Sequence, residues 1–328
     1  MNTAPRVSVI MRTKNSDWVV AQTLAALFSQ DYTEFELVVV DSGSTDRTLA
    51  IVEKYPCRLI RIAPENYVPG TVLNDAIAQT QSDLIVFINS DTVLLSPHSL
   101  THLLRAFDDP EVQAAFGRQI PRPEAETWVR RDYRIAFPEQ GEAPEWMTLS
   151  LPVAAMRRSA WKQHPFYTDS WGSEDTEWGF WARRQGYRVA YVPQAVAMHS
   201  HNYTLKQNYG RRFIEGEADA FIYRRDASTA GFIFACLTTA ARELFEHLRE
   251  RDGRGLATFL PRVVVSQWGY FQGLRLGSKR RRTGDTDVRI GQQTVLSRHE
   301  SVRNDLDRSG RQEATKPEET KQKEAKQI

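Results

Sequence analysis

Two acidic residues stand directly behind runs of residues that belong inside a sheet. Asp41 closes Val38-Val39-Val40 and opens the hydroxyl-rich turn Ser42-Gly43-Ser44-Thr45-Asp46, and Asp91 follows Leu84-Ile85-Val86-Phe87-Ile88 by way of Asn89-Ser90. A carboxylate where a buried strand emerges can accept hydrogen bonds from a base or a ribose, or hold a hard divalent cation that bridges diphosphate oxygens. Taken singly, Ser44 or Asp46 could simply cap a helix, and Asn-Ser-Asp could simply be a turn. Their recurrence two strands apart is what points to a ligand.

Two further clusters come later. Trp171-Gly172-Ser173-Glu174-Asp175-Thr176-Glu177-Trp178 places three acids at a helix start, where they either complement the helix dipole or supply a general base whose proton affinity is raised by its neighbours. Met198-His199-Ser200-His201 carries two imidazoles two residues apart, on one side of the chain if the strand before them continues. One of them could complete a metal site begun by Asp91.

These residues need a frame. Val7–Met11, Leu37–Val40, Leu59–Ile62 and Leu84–Ile88 read as buried strands, separated by helical stretches at Trp18–Ser29, Thr48–Lys54 and Val72–Ala78. The alternation predicts an α/β fold with a mostly parallel sheet covered on both faces and ligands beyond the strand ends. From Gly117 to Pro165, prolines break the pattern, and a binding loop is expected there. Glu174–Gln185 returns to helix and Arg188–Val192 to strand. Helices are then expected at Gly210–Arg224, Phe232–Arg249 and Phe259–Leu276. The chain thus divides into a catalytic domain at 1–203, a helical extension at 204–278 and a tail at 279–328.

The tail has no Phe, Trp, Tyr, Met or Cys and is expected to be disordered. It holds 13 basic and 9 acidic residues, so the +2 formal charge of the 328-residue chain comes from the tail and the body is slightly acidic. That balance disfavours nucleic acid as a partner. Cys57 and Cys236 are too few for a disulfide framework or a cysteine-built zinc site. No signal-peptide core or spanning helix is evident, so a cytoplasmic place is expected.

In their order, SVIMRTKN (Ser8–Asn15), FELVVVDSGSTD (Phe35–Asp46), NDAIAQTQSDLIVFINSD (Asn74–Asp91), GSEDTEWGFWARRQGYRV (Gly172–Val189) and the His199 segment resemble family 2 glycosyltransferases of the GT-A fold. The stretches cover about two thirds of the chain. The resemblance implies inverting transfer of a sugar from a nucleotide-diphosphate donor to an acceptor hydroxyl, with Asp175 as catalytic base. It implies Thr13, Asn15, Asp41, Asn74, Asn89 and Asp91 around the donor, and Trp171, Glu174 and Arg211 on the acceptor side or in support. Asn89-Ser90-Asp91 stands in the place of the family's Asp-X-Asp. Its first Asp has become Asn, which leaves Asp91 as the metal ligand, with His199 as its partner and His201 in reserve, for Mn²⁺ or Mg²⁺. Gln207, Arg211 and Arg212 lie where processive members carry Gln-X-X-Arg-Trp, but the spacing differs and no Trp follows, which disfavours a processive synthase.

Within the family the chain looks most like bacterial rhamnosyltransferase-like enzymes of surface polysaccharide synthesis. That would imply an acceptor glycan or lipid-linked saccharide and peripheral contact with anionic membrane at its inner face. Phe232–Leu237, Trp268-Gly269-Tyr270-Phe271 and the basic run Lys279–Arg282 are the candidate contacts. Two other functions fit the same architecture less well. A nucleotidyltransferase would carry a Gly-rich phosphate loop after the first strand, where Arg12-Thr13-Lys14-Asn15-Ser16 has no glycine. A non-catalytic nucleotide-sugar sensor or assembly partner would have no need of Asp41, Asp91 and Asp175 together.

Overall fold

The computed structural model describes residues 7–294. β1 (Val7–Thr13), β2 (Phe35–Asp41), β3 (Arg58–Arg61) and β4 (Leu84–Ile88) pair in parallel at one side of an eight-stranded sheet. β5 (Val93–Leu94), β6 (Val112–Ile120), β7 (Val153–Arg157) and β8 (Arg188–Met198) complete it in the order β3-β2-β1-β4-β7-β6-β8-β5. β7 runs antiparallel to both β4 and β6, and β5 antiparallel to β8, while β6 and β8 are parallel. The sheet is therefore mixed, with parallel pairings in the majority.

The two-residue period of a strand sorts its side chains between two apolar layers. Val7, Val9 and Met11 of β1 pack with Leu24 and Leu27 of α1 (Val20–Phe28) and Leu103 of α4 (Ser99–Arg105) on one face. Ile10 and, from β4, Ile85 and Phe87 pack on the other face. There they meet Leu73 and Ile77 of α3 (Pro69–Ala78) and Trp178 of α7 (Glu174–Arg184). The short α2 (Thr48–Val52) follows the Asp41 turn.

Much of the Gly117–Pro165 stretch expected to be irregular is regular. It contains the end of β6, α5 (Thr127–Ala136), β7 and α6 (Arg158–Gln163). β6 escapes detection because its centre is Ala114-Ala115-Phe116-Gly117, poor in β-branched residues, and because its pairing to β8 shifts register twice. At Gly117 a side chain would collide with the Ala195 carbonyl oxygen. The close strand contact, not local propensity, selects glycine there.

Three long helices follow: α8 (Leu205–Ile222), α9 (Thr229–Arg249) and α10 (Gly253–Thr283). α8 opens with a capping box in which Thr204 and Gln207 satisfy each other's backbone N–H groups. Gln207 is thereby used as a cap. α10 lies against α8 through Gly269, Gly273 and Gly277, where a Cβ would strike the backbone of Tyr209, Phe213 and Glu217. The boundary expected at Lys279 is corrected, because α10 runs on to Thr283. Arg280 is 1 % exposed, is ion-paired to Glu217, and donates to the Asp169 carbonyl at 2.9 Å. Arg281 and Arg282 pair with Asp226 at 2.8 and 3.6 Å, so Arg280 and Arg281 belong to a packed helix end, while Lys279 and Arg282 remain exposed. Residues 284–294 of the expected disordered tail are also described: 289–294 are helical, and Gln292 is buried and donates through Nε2 to the Glu65 carbonyl at 2.9 Å, while the rest of the tail, 295–328, lies outside the described residues. Among the described residues, no helix is long and apolar enough to cross a membrane.

Candidate active site

Strand ends deliver the first group of residues. Thr13 at the end of β1 is in register with Asp41 at the end of β2. Asp41 is buried, and its Oδ2 accepts from the N–H groups of Gly43 and Ser44, each at 3.0 Å, while the Ser44 hydroxyl bonds its other oxygen. Gly43 takes φ 83°, which a glycine accepts at no steric cost. Asn15, also left-handed at φ 48°, ties the two loops together, its Oδ1 accepting from Thr45 N–H at 2.8 Å and its own N–H donating to Ser44 Oγ at 2.9 Å. Asp46 accepts from the Thr48 N–H at 2.9 Å at the start of α2 and from Asp17 N–H at 3.2 Å, so it shapes this loop. The Thr13 hydroxyl is buried with no hydrogen-bond partner among the described residues. Such an orphan costs free energy until a ligand or water satisfies it.

Asn74 departs from the expected donor contact. Its Oδ1 accepts from Trp161 Nε1 at 2.8 Å and Phe166 N–H at 2.9 Å, and its Nδ2 donates to the Phe166 carbonyl at 2.9 Å. The amide is consumed in fastening the loop after α6, a role that appears only once residues 92 positions apart meet.

The turn behind β4 holds Asn89 and Asp91, and β8 brings His199 and His201 to the latter. Among the described residues these three form a group whose ligand atoms all lie within 4.8 Å of one another. His201 Nε2 is 2.9 Å from Asp91 Oδ2 and His199 Nε2 is 3.7 Å from Oδ1. Gln119 Oε1 lies 2.9 Å from His199 Nδ1, and Tyr133 Oη lies 3.3 Å from it. Because the amide oxygen can only accept, Nδ1 carries the proton and Nε2 turns its lone pair toward the carboxylate. Burial pushes His199 down to about 4, against the pull of Asp91, so the imidazole is neutral near pH 7. Burial alone would raise Asp91, but His199, which is protonated at the low pH where Asp91 titrates, together with His201, its hydrogen bond and Arg122, holds it well below the usual carboxylate range. A lone pair facing a carboxylate is a poor contact without a cation between them, and one carboxylate with two imidazoles is a donor set that suits a divalent metal.

Arg122 is the main residue missed at this cluster. It is buried just past β6, donates to the Asp91 carbonyl at 2.7 Å and sits 4.7 Å from the Trp18 ring centroid. Recognising β6 as a strand would have exposed both Gln119 and Arg122 as strand-end residues. Arg211 reaches the same neighbourhood from α8. It bonds the Tyr203 hydroxyl at 3.1 Å, and the Tyr203 ring stacks on His201 at 5.5 Å. Arg212 points elsewhere, over the Tyr270 ring of α10 at 4.8 Å.

The acids of α7 stand behind two residues of positive φ, Gly172 at 148° and Ser173 at 61°, of which the serine is strained. Backbone strain of this kind is kept where it places something. Here it starts the helix so that Glu174 meets Arg12, whose Nη1 donates to Glu174 Oε1 at 2.6 Å in a largely buried pair. Asp175, half-buried, accepts from Leu151 N–H at 3.3 Å and Thr176 N–H at 2.8 Å. Its carboxyl is pushed up to about 6, first by burial and then by the charge of Glu174, with Arg12 and the two N–H donors pulling the other way. Trp171 donates through Nε1 to the Tyr67 carbonyl at 2.9 Å and meets the Tyr67 ring edge-on at 5.9 Å.

Arg12 joins the two halves of the site. Its carbonyl accepts from Ser90 N–H at 3.2 Å while its guanidinium holds Glu174. Leu151-Pro152 makes a second bridge, giving an N–H to Asp175 and accepting at the Pro152 carbonyl from Asn89 N–H at 3.3 Å. The Asn89-Ser90-Asp91 turn and the Glu174-Asp175 pair are therefore neighbours across a single layer of backbone.

A mixed sheet that delivers carboxylates to one edge, with an acid of raised proton affinity beside them, is the framework of a nucleotide-diphospho-sugar transferase of the GT-A type. The model of Glycosyl transferase family 2 matches residues 8–171, half of the chain, and the chain belongs to that family. It is 27% identical over 263 residues to the O-antigen chain rhamnosyltransferase WbaN of Salmonella anatum, covering 74% of this chain and 79% of that protein. It is 25% identical over 288 residues to the O-antigen chain rhamnosyltransferase RfbN of Salmonella typhimurium, covering 83% and 89%. A solved mannosyltransferase from Pyrobaculum calidifontis, in complex with GDP-Man and Mn²⁺, shares the fold with a TM-score of 0.56 at 20% identity, over 87% of this chain and 89% of that one. The chain is thus a family 2 glycosyltransferase, similar to rhamnosyltransferases.

Proposed function

We propose that this enzyme moves a sugar, with inversion, from a nucleotide-diphosphate donor to a hydroxyl of an acceptor glycan or lipid-linked saccharide in bacterial cell-surface polysaccharide or glycolipid synthesis, working in the cytoplasm or at the inner face of its membrane. The observation that carries the reading is Asp175, a carboxyl raised to about 6 and bridged by backbone and by Arg12 to the Asn89–Asp91 turn. At neutral pH it is ionised yet still basic enough to take a proton. The acceptor oxygen bonds to the anomeric carbon as its proton passes to Asp175, and the bond from that carbon to the diphosphate oxygen breaks with its electron pair going to the leaving group. Arg211 and Arg122 supply positive charge near the Asp91 group, where the diphosphate would sit. Asp91, His199 and His201 are the residues that would hold a divalent cation, which when bound offsets charge on the diphosphate. Their two imidazole nitrogens favour Mn²⁺ over Mg²⁺, which prefers oxygen ligands throughout. Thr13 and Asn15 line the nucleotide side, with Asp41 bracing their loop, and Trp171 and Glu174 border the acceptor side.

The decisive experiment screens nucleotide-sugars with Mn²⁺ for thermal stabilisation and then assays transfer with the donor found. Wild type should be stabilised and active, while Asp175→Asn should keep donor binding and lose turnover by orders of magnitude. Full turnover by that variant would remove Asp175 from the mechanism.

A further inference from the structure

α9 is built inside out. The side chains it buries are Glu243 and His247, which meet Arg262 of α10 and, through Glu243, Arg131 of α5. Its outward stripe is Ile233, Phe234, Leu237, Leu244, Phe245 and Leu248, and α10 continues it with Leu260, Val264 and Trp268, all between 42 and 69 % exposed. Single exposed apolar residues need no explanation, but a contiguous face of nine large ones on two packed helices does. Since α9 turns Glu243 and His247 toward the protein and its large apolar side chains away, the environment its outer stripe is shaped for is less polar than water.

We infer that this α9–α10 face rests in the surface of an anionic lipid bilayer. Two observations favour lipid over a second copy of the chain. Around the stripe the uncompensated charges are positive: Arg242, Arg254 and Arg275 are exposed and make no ion pair among the described residues, whereas the nearby acids Glu246 and Glu250 both bind Arg249. A two-fold contact between copies would set these arginines against their own kind, while an anionic headgroup layer complements them. Next, a cleft of about 540 Å³ opens between α9 and α10, lined by Phe232, Ile233, Trp268 and Phe271 with Arg275 at its edge, which suits an acyl chain beneath a phosphate. Neither helix is long and apolar enough to cross a bilayer, so the contact would be confined to the bilayer surface. α5, which touches α9 through Arg131, also carries Tyr133 against His199, so the docked face lies one helix away from the Asp91 cluster. The inference rests on the proposed transfer reaction for its purpose, since a lipid-linked acceptor would then be presented beside the site.

The test is co-sedimentation of the full chain with vesicles of phosphatidylcholine alone and of phosphatidylcholine with 30 mol% (about a third) phosphatidylglycerol. Wild type should bind the anionic vesicles, and binding should weaken as salt rises. The triple variant Phe234→Ser, Leu237→Ser, Phe245→Ser should bind at least about tenfold more weakly. Its fold is checked by circular dichroism and by unchanged stabilisation with Mn²⁺ plus UDP, GDP or dTDP. Arg242→Glu with Arg254→Glu and Arg275→Glu should abolish the preference for anionic vesicles. Failure of wild type to bind them, or equal binding by the triple variant, overturns the inference. So does a dimer in sedimentation velocity that the triple variant converts to monomer without any vesicle binding. Asp175→Asn should bind vesicles like wild type, so failure of the catalytic reading and failure of this one are separable.

Discussion

At the scale of single residues, Asp175 makes opposite demands on stability and catalysis. Its carboxyl is raised from 3.8 to about 6 in the folded protein. Between those values the unfolded chain has lost the proton that the folded chain keeps, so the stability this group contributes is full below pH 4 or so and is lost as the pH rises through about 6. Asp175→Asn should therefore raise Tm at pH 7 in thermal melts, while the transfer rate of wild type climbs with pH and levels off above about 6. The Arg12–Glu174 pair is tested differently. Arg12→Met leaves a buried carboxylate alone and should cost roughly 3–5 kcal/mol in denaturant unfolding. Adding Glu174→Gln should restore much of that loss, and a fully additive double-mutant cycle would show that the pair is not coupled. For the metal cluster, Asp91→Asn and His201→Ala should each reduce the thermal stabilisation given by Mn²⁺, because a ligand that binds only the folded state stabilises it by an amount that grows with the logarithm of its affinity.

At the scale of elements, two close approaches are decided by the absence of a side chain. α8 and α10 meet backbone to backbone over Gly269, Gly273 and Gly277, spaced one helical turn apart on one face of α10. Gly273→Val should push the helices apart and destabilise the fold by about 1–3 kcal/mol or more, read as a fall in Tm. The three glycines were visible in the sequence, yet their meaning depends on α8 being the neighbour. β6 teaches the same lesson, since Ala114-Ala115-Phe116-Gly117 is a strand only because β7 and β8 flank it. By contrast β4 was legible to the residue, since Leu84–Ile88 is a continuous apolar run buried on both faces.

At the scale of the whole molecule, the helical extension is fastened to the catalytic sheet by charge as well as by packing. Arg280 ties α10 to Glu217 of α8 and to the loop carbonyl of Asp169, two residues before Trp171. Ending the chain at Ser278 should leave Glu217 buried without its partner, and a drop in Tm of several degrees is the expected result. The sequence by itself determined the class of fold and the order of its motifs, because these depend on local period, and it singled out Asp41 and Asp91 behind buried strands and Asp175 at a helix start as the acids to test. It could not decide that Asn74 clamps a loop, that Arg280 belongs to a packed helix, or that Arg12, Gln119 and Arg122 support the site. Each of those depends on a partner 30 or more positions away in the chain. Which face of α9 looks outward was likewise settled only by tertiary packing: an apolar stripe reads as core from its period alone, and here the buried network of Glu243, Arg131 and Arg262 takes the inner side and turns the stripe to the surface.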